Sequence, residues 1–130
     1  MNTLENLSDL KWKHRVLIIY DDLDENHLKK KIHHMSIYDK EIVDRDLIII
    51  YDTAEEVYMN DQPLLESFKL SVKAMTKQYQ KESMILIGKD GKTKKIFSLS
   101  DQISNVFDLI DKMPMRKIEI KKTIINLNSN

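Results

Sequence analysis

The sequence predicts an α/β fold built around a mixed four-stranded sheet, and three observations carry this prediction. Two short apolar runs in the N-terminal half enclose one amphipathic helical stretch, which is the pattern of a β-α-β unit. A later pair of apolar runs is joined by an Asp-Gly turn, which indicates a β-hairpin. Each of these units is followed by a further helical stripe of apolar residues. A β-α-β unit supplies a parallel strand pair with a right-handed crossover, and the hairpin supplies an antiparallel pair.

The N-terminal half contains a short helix, two strands and the helix between them. Leucines recur every three residues from 4 to 10, which predicts a short helix or turn. Residues 16–20 are apolar and rich in β-branched side chains, which is typical of a buried strand. Asp24 is suited to cap the next helix, whose apolar stripe spans residues 28–35, because its carboxylate can accept free N–H groups. Residues 46–51 predict the second strand.

The following segment predicts a helix and a hairpin. Apolar residues spaced by three and four over residues 64–79, directly after Pro63, predict the helix. Residues 84–87 and 94–99 predict two strands. Residues 89–92 join them, and their Asp-Gly pair indicates a type I′ turn, because such a turn needs positive φ at two successive positions.

The C-terminal segment completes the predicted topology. An apolar stripe over residues 103–110 predicts the last helix, and Pro114 interrupts that helix or begins another short one. Residues 123–130 are expected to be frayed. The resulting order, β-α-β-α-β-β-α with helices on both faces of the sheet, is the thioredoxin-like arrangement. We expect a single domain over residues 1–130, with its core at about 4–120.

The charges of the chain balance overall but not along its length. The formal net charge is zero, from 21 Lys and Arg against 21 Asp and Glu. The first 65 residues hold 8 basic and 14 acidic side chains, and the last 65 hold 13 and 7. We interpret this as attraction between interleaved halves, with a basic face for an acidic partner as the alternative. Neither reading matches the strongly basic footprint of a protein that binds nucleic acid.

No membrane span is predicted, because no apolar run approaches the ~20 residues that a transmembrane helix needs. The start of the chain has no basic segment followed by an apolar one, so it does not look like a signal peptide. We therefore expect a cytoplasmic protein if Met1 is the native start. A periplasmic or secreted protein is expected if a signal peptide was trimmed.

The absence of Cys removes several kinds of chemistry. It excludes disulfides, thiol–disulfide exchange, a cysteine nucleophile and thiolate-bound zinc. None of the serines lies in a G-x-S-x-G nucleophile motif. We therefore predict no catalytic residue and no cofactor.

The acidic loop after the first strand is one candidate site, for a metal ion. It offers Asp21, Asp22, Asp24 and His27. The spacing begins like a calcium loop, but the sixth position is His27 where such a loop needs Gly, and the twelfth is His33 where it needs Glu. We interpret the acidic group as a strand end and a helix cap, and keep the metal site as the alternative.

The hairpin and a Met-Pro-Met-Arg segment are the other candidate, as a binding surface. Methionines offer an adaptable contact surface, and basic residues surround them. The predicted surface consists of Lys89, Asp90, Met113, Met115, Arg116 and Lys117. A second set could form a charge network, which would be structural if it were buried. That set consists of Arg15, Arg45, Asp46, Arg116 and Glu119.

Four segments of the chain together resemble a known family. They are Leu7-x-x-Leu10-x-Trp12-x-x-Arg15, Arg45-Asp46, Leu86-Ile87-Gly88-Lys89-Asp90-Gly91 and Ile110-Asp111-x-Met113-Pro114-Met115-Arg116-x-x-Glu119. The sequence over about residues 4–120 is similar to an uncharacterised, peroxiredoxin-like domain family called DUDES. That family includes short bacterial proteins and modules of vertebrate sushi-repeat extracellular-matrix proteins.

The resemblance implies a thioredoxin-like fold without an established activity. A redox member of the wider superfamily would carry its reactive Cys at the start of the first helix, where this chain has residues 20–26 and no thiol. We therefore expect a non-redox binding or interaction module with an unknown protein partner and an open oligomeric state. The alternative is a cysteine-independent enzyme or metal-binding protein that uses the acidic loop.

Overall fold

The described part of the chain contains a mixed five-stranded sheet in the computed structural model, which describes residues 4–59 and 64–128. The strands are β1 (Arg15–Tyr20), β2 (Leu47–Asp52), β3 (Val57–Tyr58), β4 (Ser83–Ile87) and β5 (Thr93–Ser98). Their order across the sheet is β3-β2-β1-β4-β5. The β1–β2 pair is parallel, and the other neighbouring pairs are antiparallel. The predicted mixed sheet is confirmed, whereas the predicted count of four strands is wrong, because β3 is too short to give a periodic pattern.

The helices lie close to the predicted positions, with additions. They are a short 3-10 helix (Leu7–Leu10), α1 (Glu25–Ser36), α2 (Asp39–Asp44), α3 (Glu66–Thr76), α4 (Ile103–Asp111) and α5 (Pro114–Asn128). Helix α2 was not predicted, because its six residues are too few to show a helical period. Pro63, expected in the first turn of α3, lies outside the described residues.

The C-terminal segment differs from the prediction of a frayed tail, because α5 continues to Asn128. Pro114 is the first residue of this helix, where the missing N–H of proline costs nothing. No Gly or Pro follows it over residues 115–128, so nothing in the sequence breaks the helix. Residues 129 and 130 of the predicted tail lie outside the described residues.

The β4–β5 hairpin is confirmed, but its turn is not type I′. Among the described residues of this turn, only Gly91 has positive φ, at 81°. The N–H of Gly91 bonds to the carbonyl of Gly88 at 3.0 Å, and the N–H of Gly88 bonds to the carbonyl of Lys92 at 2.9 Å. The pairing also shifts register at residues 86–87. These features fit a longer loop with one left-handed glycine and a bulge.

Both faces of β1 are buried, although successive side chains of a strand point to opposite faces. On one face a core cluster contains Leu10, Val16, Ile18, Ile50, Val57, Phe68, Val72, Ile85 and Ile87. Leu17 and Ile19, which point to the other face, are also 0% exposed. This explains why β1 is a continuous apolar run without alternation.

The chain packs as two compact units, residues 1–100 and residues 101–130. The first unit holds the whole sheet, and the second holds α4 and α5. The single domain over residues 1–130 stays a prediction. Among the described residues, none of the helices has the length and apolar character that a membrane crossing requires.

Candidate functional site

A cleft of about 550 Å³ lies in the first unit, beside the start of α1 and the loop after β2. Because β1 and β2 are parallel, their carboxyl ends meet at one edge of the sheet, where ligands of open α/β sheets usually bind. We call this cleft the acidic cleft. Its charged lining consists of Asp22, Asp24, Glu25, Glu55 and one basic residue, Lys29. Side chains of Leu23, Leu28, Ile32 and Tyr58 form its apolar lining.

Asp24 caps α1, as the sequence predicts. Its Oδ1 accepts the backbone N–H of His27 at 2.8 Å and lies 2.8 Å from the imidazole Nδ1 of the same residue. The backbone bond first, and the imidazole second, hold the pKa of Asp24 below its ordinary value. The carboxylate is exposed and charged, and it is committed to the helix end.

The other loop carboxylates are held in different ways. Asp22 lies 2.7 Å from the ammonium of Lys81, and this hydrogen bond raises the pKa of Lys81. The Oδ1 of Asp21 accepts the backbone N–H of Asp22 at 2.9 Å. Glu55 is exposed and makes no hydrogen bond or ion pair with any residue that the structure describes. Glu55 is therefore the most available carboxylate of the cleft.

A tight loop between β2 and β3 places Glu55 at the cleft. The hydroxyl of Thr53 accepts the N–H of Glu56 at 3.1 Å and donates to its carbonyl at 2.8 Å. Glu56 also pairs with Lys69 of α3 at 2.5 Å, and this hydrogen bond lowers the pKa of Glu56 and raises that of Lys69. The loop is thereby fastened on both sides of Glu55.

A buried polar group lies at the end of β2, next to the cleft. Asp52 is 0% exposed, and its two oxygens contact the ammonium of Lys73 and the hydroxyl of Thr76, each at 2.5 Å. The ammonium of Lys73 also donates to the carbonyl of Thr53, which lines the cleft. Local sequence patterns do not reveal this group, because Asp52 and Thr76 lie 24 residues apart and only folding brings them together. The only sequence signal was a charged residue at the end of an apolar strand.

The candidate residues of the alternative metal site are not gathered around one point. Among the residues that the structure describes, no group of three His, Asp or Glu side chains is placed to hold a metal ion. Asp24 and His27 bond to each other, and Asp22 is paired with Lys81. The loop therefore serves the strand end and the helix cap, and it contributes negative charge to the cleft.

A second cleft, of about 540 Å³, lies beside the β4–β5 hairpin, and we call it the hairpin cleft. Its lining includes Lys11, His14, Asp90 and Lys92. The hydrogen bond from Lys94 first, and the N–H of Lys92 second, hold the pKa of Asp90 below its ordinary value. The Nδ1 atom of His14 is buried and has no hydrogen-bond partner among the described residues.

Lys89 of the predicted binding surface is buried, which corrects its predicted role. Its side chain is 9% exposed, and its ammonium lies 2.8 Å from the carboxylate of Asp46. Asp46 in turn accepts the N–H of Arg15 through its backbone carbonyl at 2.9 Å. Arg15 is 1% exposed and donates to the carbonyl of Arg45 at 2.8 Å. Three members of the predicted charge network, Arg15, Arg45 and Asp46, are therefore in contact, and Arg15 is the buried one.

The Met-Pro-Met-Arg segment lies in the second unit, at the start of α5. Arg116 is 5% exposed, and its Nε lies 3.0 Å from a carboxylate oxygen of Asp111, the last residue of α4. Glu119 lies 4.0 Å from the same guanidinium. Met115 and Lys117 are exposed. Burial of Arg116 means that this arginine joins two helices and does not present its charge to a partner.

An acid titration of Asp24 tests the helix cap. Because its folded pKa is lowered, the cap stabilises the fold above the unfolded pKa of about 3.9, and this contribution is lost as the pH falls through the folded pKa. We expect an NMR titration to give Asp24 a pKa below 3.9. His27→Ala should raise it only partway, since the backbone bond remains. An Asp24 pKa at or above the ordinary value would contradict this geometry.

Comparison with known proteins gives a family without an assigned activity. Searches of curated proteins and of solved structures found no match. A family model, Domain of unknown function (DUF4174), matches residues 6–119. The matched range includes all of β1–β5, α1–α4 and the start of α5, so it contains both clefts and Arg116. The prediction of an uncharacterised family is thus confirmed, and the chain belongs to the family described as Domain of unknown function (DUF4174).

Proposed function

We propose that this chain is a binding module on a thioredoxin-like scaffold, and that its acidic cleft takes a positively charged segment of a partner protein. The strand order β2-β1-β4-β5, with one parallel pair and a hairpin, supports the thioredoxin-like assignment. In this reading, β3 is an addition at the sheet edge. The same order supports the peroxiredoxin-like ancestry that the DUDES resemblance implies.

The composition of the acidic cleft is the observation that carries the proposal. Four carboxylates and one lysine line a space of about 550 Å³ that also has leucine, isoleucine and tyrosine in its wall. Lysine and arginine side chains combine a cationic head with an apolar stem, so they fit such a lining. Carboxylates placed around a concave site also attract cationic partners over a distance and speed their association.

A non-catalytic role is consistent with the residues at the start of α1, at the edge of the sheet where β1 and β2 end. Redox members of the thioredoxin superfamily place a thiol at the start of the first helix, and this chain has no Cys at all. The start of α1 instead carries Asp24, whose carboxylate is bonded to His27. A carboxylate-rich site would also raise the pKa of a thiol and disfavour a thiolate.

The Met-Pro-Met-Arg segment has no part in this proposal. Arg116 is buried beside Asp111 and Glu119, so it offers no charge to a ligand. Lys89 is likewise buried against Asp46. The acidic cleft contains no residue of the binding surface predicted from sequence, and it lies at the loops after β1 and β2.

The proposal is tested by titrating the protein with acetylated hexalysine and hexaarginine peptides while following backbone amides by NMR. We expect the amides of residues 22–29 and 53–58 to shift. Glu55→Lys should weaken binding at least tenfold, since tenfold corresponds to about 1.4 kcal/mol. The matched control Glu41→Lys reverses an exposed carboxylate of α2 outside the cleft and should change the Kd less than twofold.

Three outcomes would contradict the proposal. Shifts spread evenly over the acidic surface would indicate unspecific attraction, and so would equal effects of Glu55→Lys and Glu41→Lys. Absence of shifts with either peptide at millimolar concentration would also reject it. Stoichiometric binding of Zn²⁺ or Ca²⁺ at the same amides, lost in Asp22→Asn, would favour the metal-binding alternative.

A further inference from the structure

Trp12 combines exposure with an unfavourable backbone conformation. Its side chain is 61% exposed, and its φ is 68°. Positive φ is disfavoured for L-residues and is a clear outlier for a bulky one. At the hairpin the chain uses Gly91 for such a position, at φ 81°. The choice of tryptophan at position 12 is therefore explained neither by the backbone nor by burial of the ring.

The surrounding structure holds Trp12 in this conformation. The N–H of Trp12 donates to the carbonyl of Lys89 at 2.6 Å. The Lys89 side chain is buried and pairs with Asp46 at 2.8 Å. Asp46 also has positive φ, at 49°, and fixes the start of β1 by accepting the N–H of Arg15. The turn that presents Trp12 is thus anchored on the backbone of Lys89, whose buried ammonium pairs with the half-exposed carboxylate of Asp46. Strained residues persist at functional sites when their surroundings fix them in this way.

The surface around Trp12 is basic and borders the hairpin cleft. The ammonium of Lys11 lies 5.5 Å from the Trp12 ring centroid. Lys13, the next residue after Trp12, is also exposed. Lys11 and Lys92 line the cleft, whose acidic residue, Asp90, is paired with Lys94 at 2.7 Å. The cleft also has Leu7, Leu10, Val16, Met75 and Ile87 in its lining.

The stem of Lys11 packs beside Gly91 of the hairpin. A Cβ atom at Gly91 would lie 3.4 Å from this stem, which is an ordinary contact distance, so it is the positive φ of 81° that favours glycine at this position. His14 lines the same cleft, and its buried Nδ1 atom has no hydrogen-bond partner among the described residues.

We propose that Trp12, with Lys11, Lys13 and the hairpin cleft, docks an acidic segment of a partner protein that also carries an apolar side chain. Charge complementarity selects an acidic partner, because the carboxylate of the cleft is already paired. The apolar lining selects a segment with an apolar side chain, and exposed tryptophans often anchor interfaces. This surface is separate from the acidic cleft, so the inference does not depend on the function proposed above.

The natural probe is Trp12 itself, because it is the only tryptophan in the chain. We would titrate the protein with poly-L-glutamate at 150 mM NaCl and record tryptophan emission, with heparin as a second polyanion. We expect saturable quenching or a blue shift with poly-L-glutamate. Lys11→Gln combined with Lys92→Gln should weaken this binding at least fivefold. The control Lys40→Gln, on the exposed side of α2, should leave it unchanged.

A second variant separates binding from folding. Trp12→Asn places a residue that tolerates positive φ at the same position. We expect an unchanged or higher melting temperature, and at least tenfold weaker binding of fluorescein-labelled poly-L-glutamate measured by anisotropy. A melting temperature lowered by more than about 3 °C would show that the ring supports the fold, and it would overturn the proposal.

The other possible results of the titration either overturn the proposal or establish it. Tighter binding of heparin than of poly-L-glutamate would assign the surface to a polysaccharide and overturn the proposal. No response to poly-L-glutamate, or an equal loss in Lys40→Gln, would overturn it as well. Quenching with the expected variant pattern, and with an intact fold of Trp12→Asn, would establish it.

Discussion

Lys73→Met is expected to lower the free energy of unfolding by about 3 kcal/mol, the cost of leaving one charge of a buried pair without its partner. The carboxylate of Asp52 is 0% exposed and, within the part of the chain that the structure describes, would keep only the hydroxyl of Thr76 as a side-chain partner. The carbonyl of Thr53 would lose a donor as well. Urea unfolding at pH 7, monitored by circular dichroism, measures this change.

Substitution of the other partner, Asp52, should lower the free energy of unfolding much less. In Asp52→Asn the hydroxyl of Thr76 can still donate to the amide oxygen, and Lys73, whose side chain is 36% exposed, can turn towards water. We expect a loss of about 1 kcal/mol. The double variant should then resemble Asp52→Asn and also lose about 1 kcal/mol, which corresponds to a coupling of about 3 kcal/mol between the two sites. Additive losses would contradict a buried pair and indicate that Lys73 stabilises α3 in another way.

Phe68→Ala is expected to cost about 4 kcal/mol, which is the second large effect. Phe68 is 0% exposed on α3 and belongs to the core cluster with Val72, Ile18 and Ile50. Removing the ring deletes apolar contact area and leaves a cavity that the sheet cannot fill by relaxing. Since domains of this size are stable by only about 5–15 kcal/mol, this loss is a large fraction of the total stability.

A milder change keeps this prediction measurable. Phe68→Leu retains most of the apolar volume, so it should lose clearly less stability than Phe68→Ala. Leu70→Ala is the matched control, because Leu70 is 60% exposed on the same helix. Thermal unfolding of the three variants should give the order Leu70→Ala, Phe68→Leu, Phe68→Ala from smallest to largest loss. Equal losses for Phe68→Ala and Leu70→Ala would show that the ring is not a core residue.

The sequence determined most of the local elements, the parallel β1–β2 pair and the β4–β5 hairpin. Continuous apolar runs predict β1, β2 and β4 because strands buried on both faces cannot alternate with polar residues. Asp24 predicts the start of α1 because only a few side chains can accept free N–H groups there. Gly91 predicts the hairpin because its backbone adopts positive φ without strain. Each of these signals acts over a few residues, so it is visible in the chain itself.

Only the tertiary structure decided which polar residues are structural and which are available. Arg116 and Lys89 look like surface charges in the sequence, yet each is buried against a carboxylate. Asp52 and Lys73 meet because β2 and α3 pack together, although nothing in their local sequence connects them. Trp12 follows the leucine repeat of residues 4–10 in the sequence, whereas its side chain is mostly in water. The energy of a charge or a ring depends on its burial and on partners distant in sequence, and folding alone brings these together.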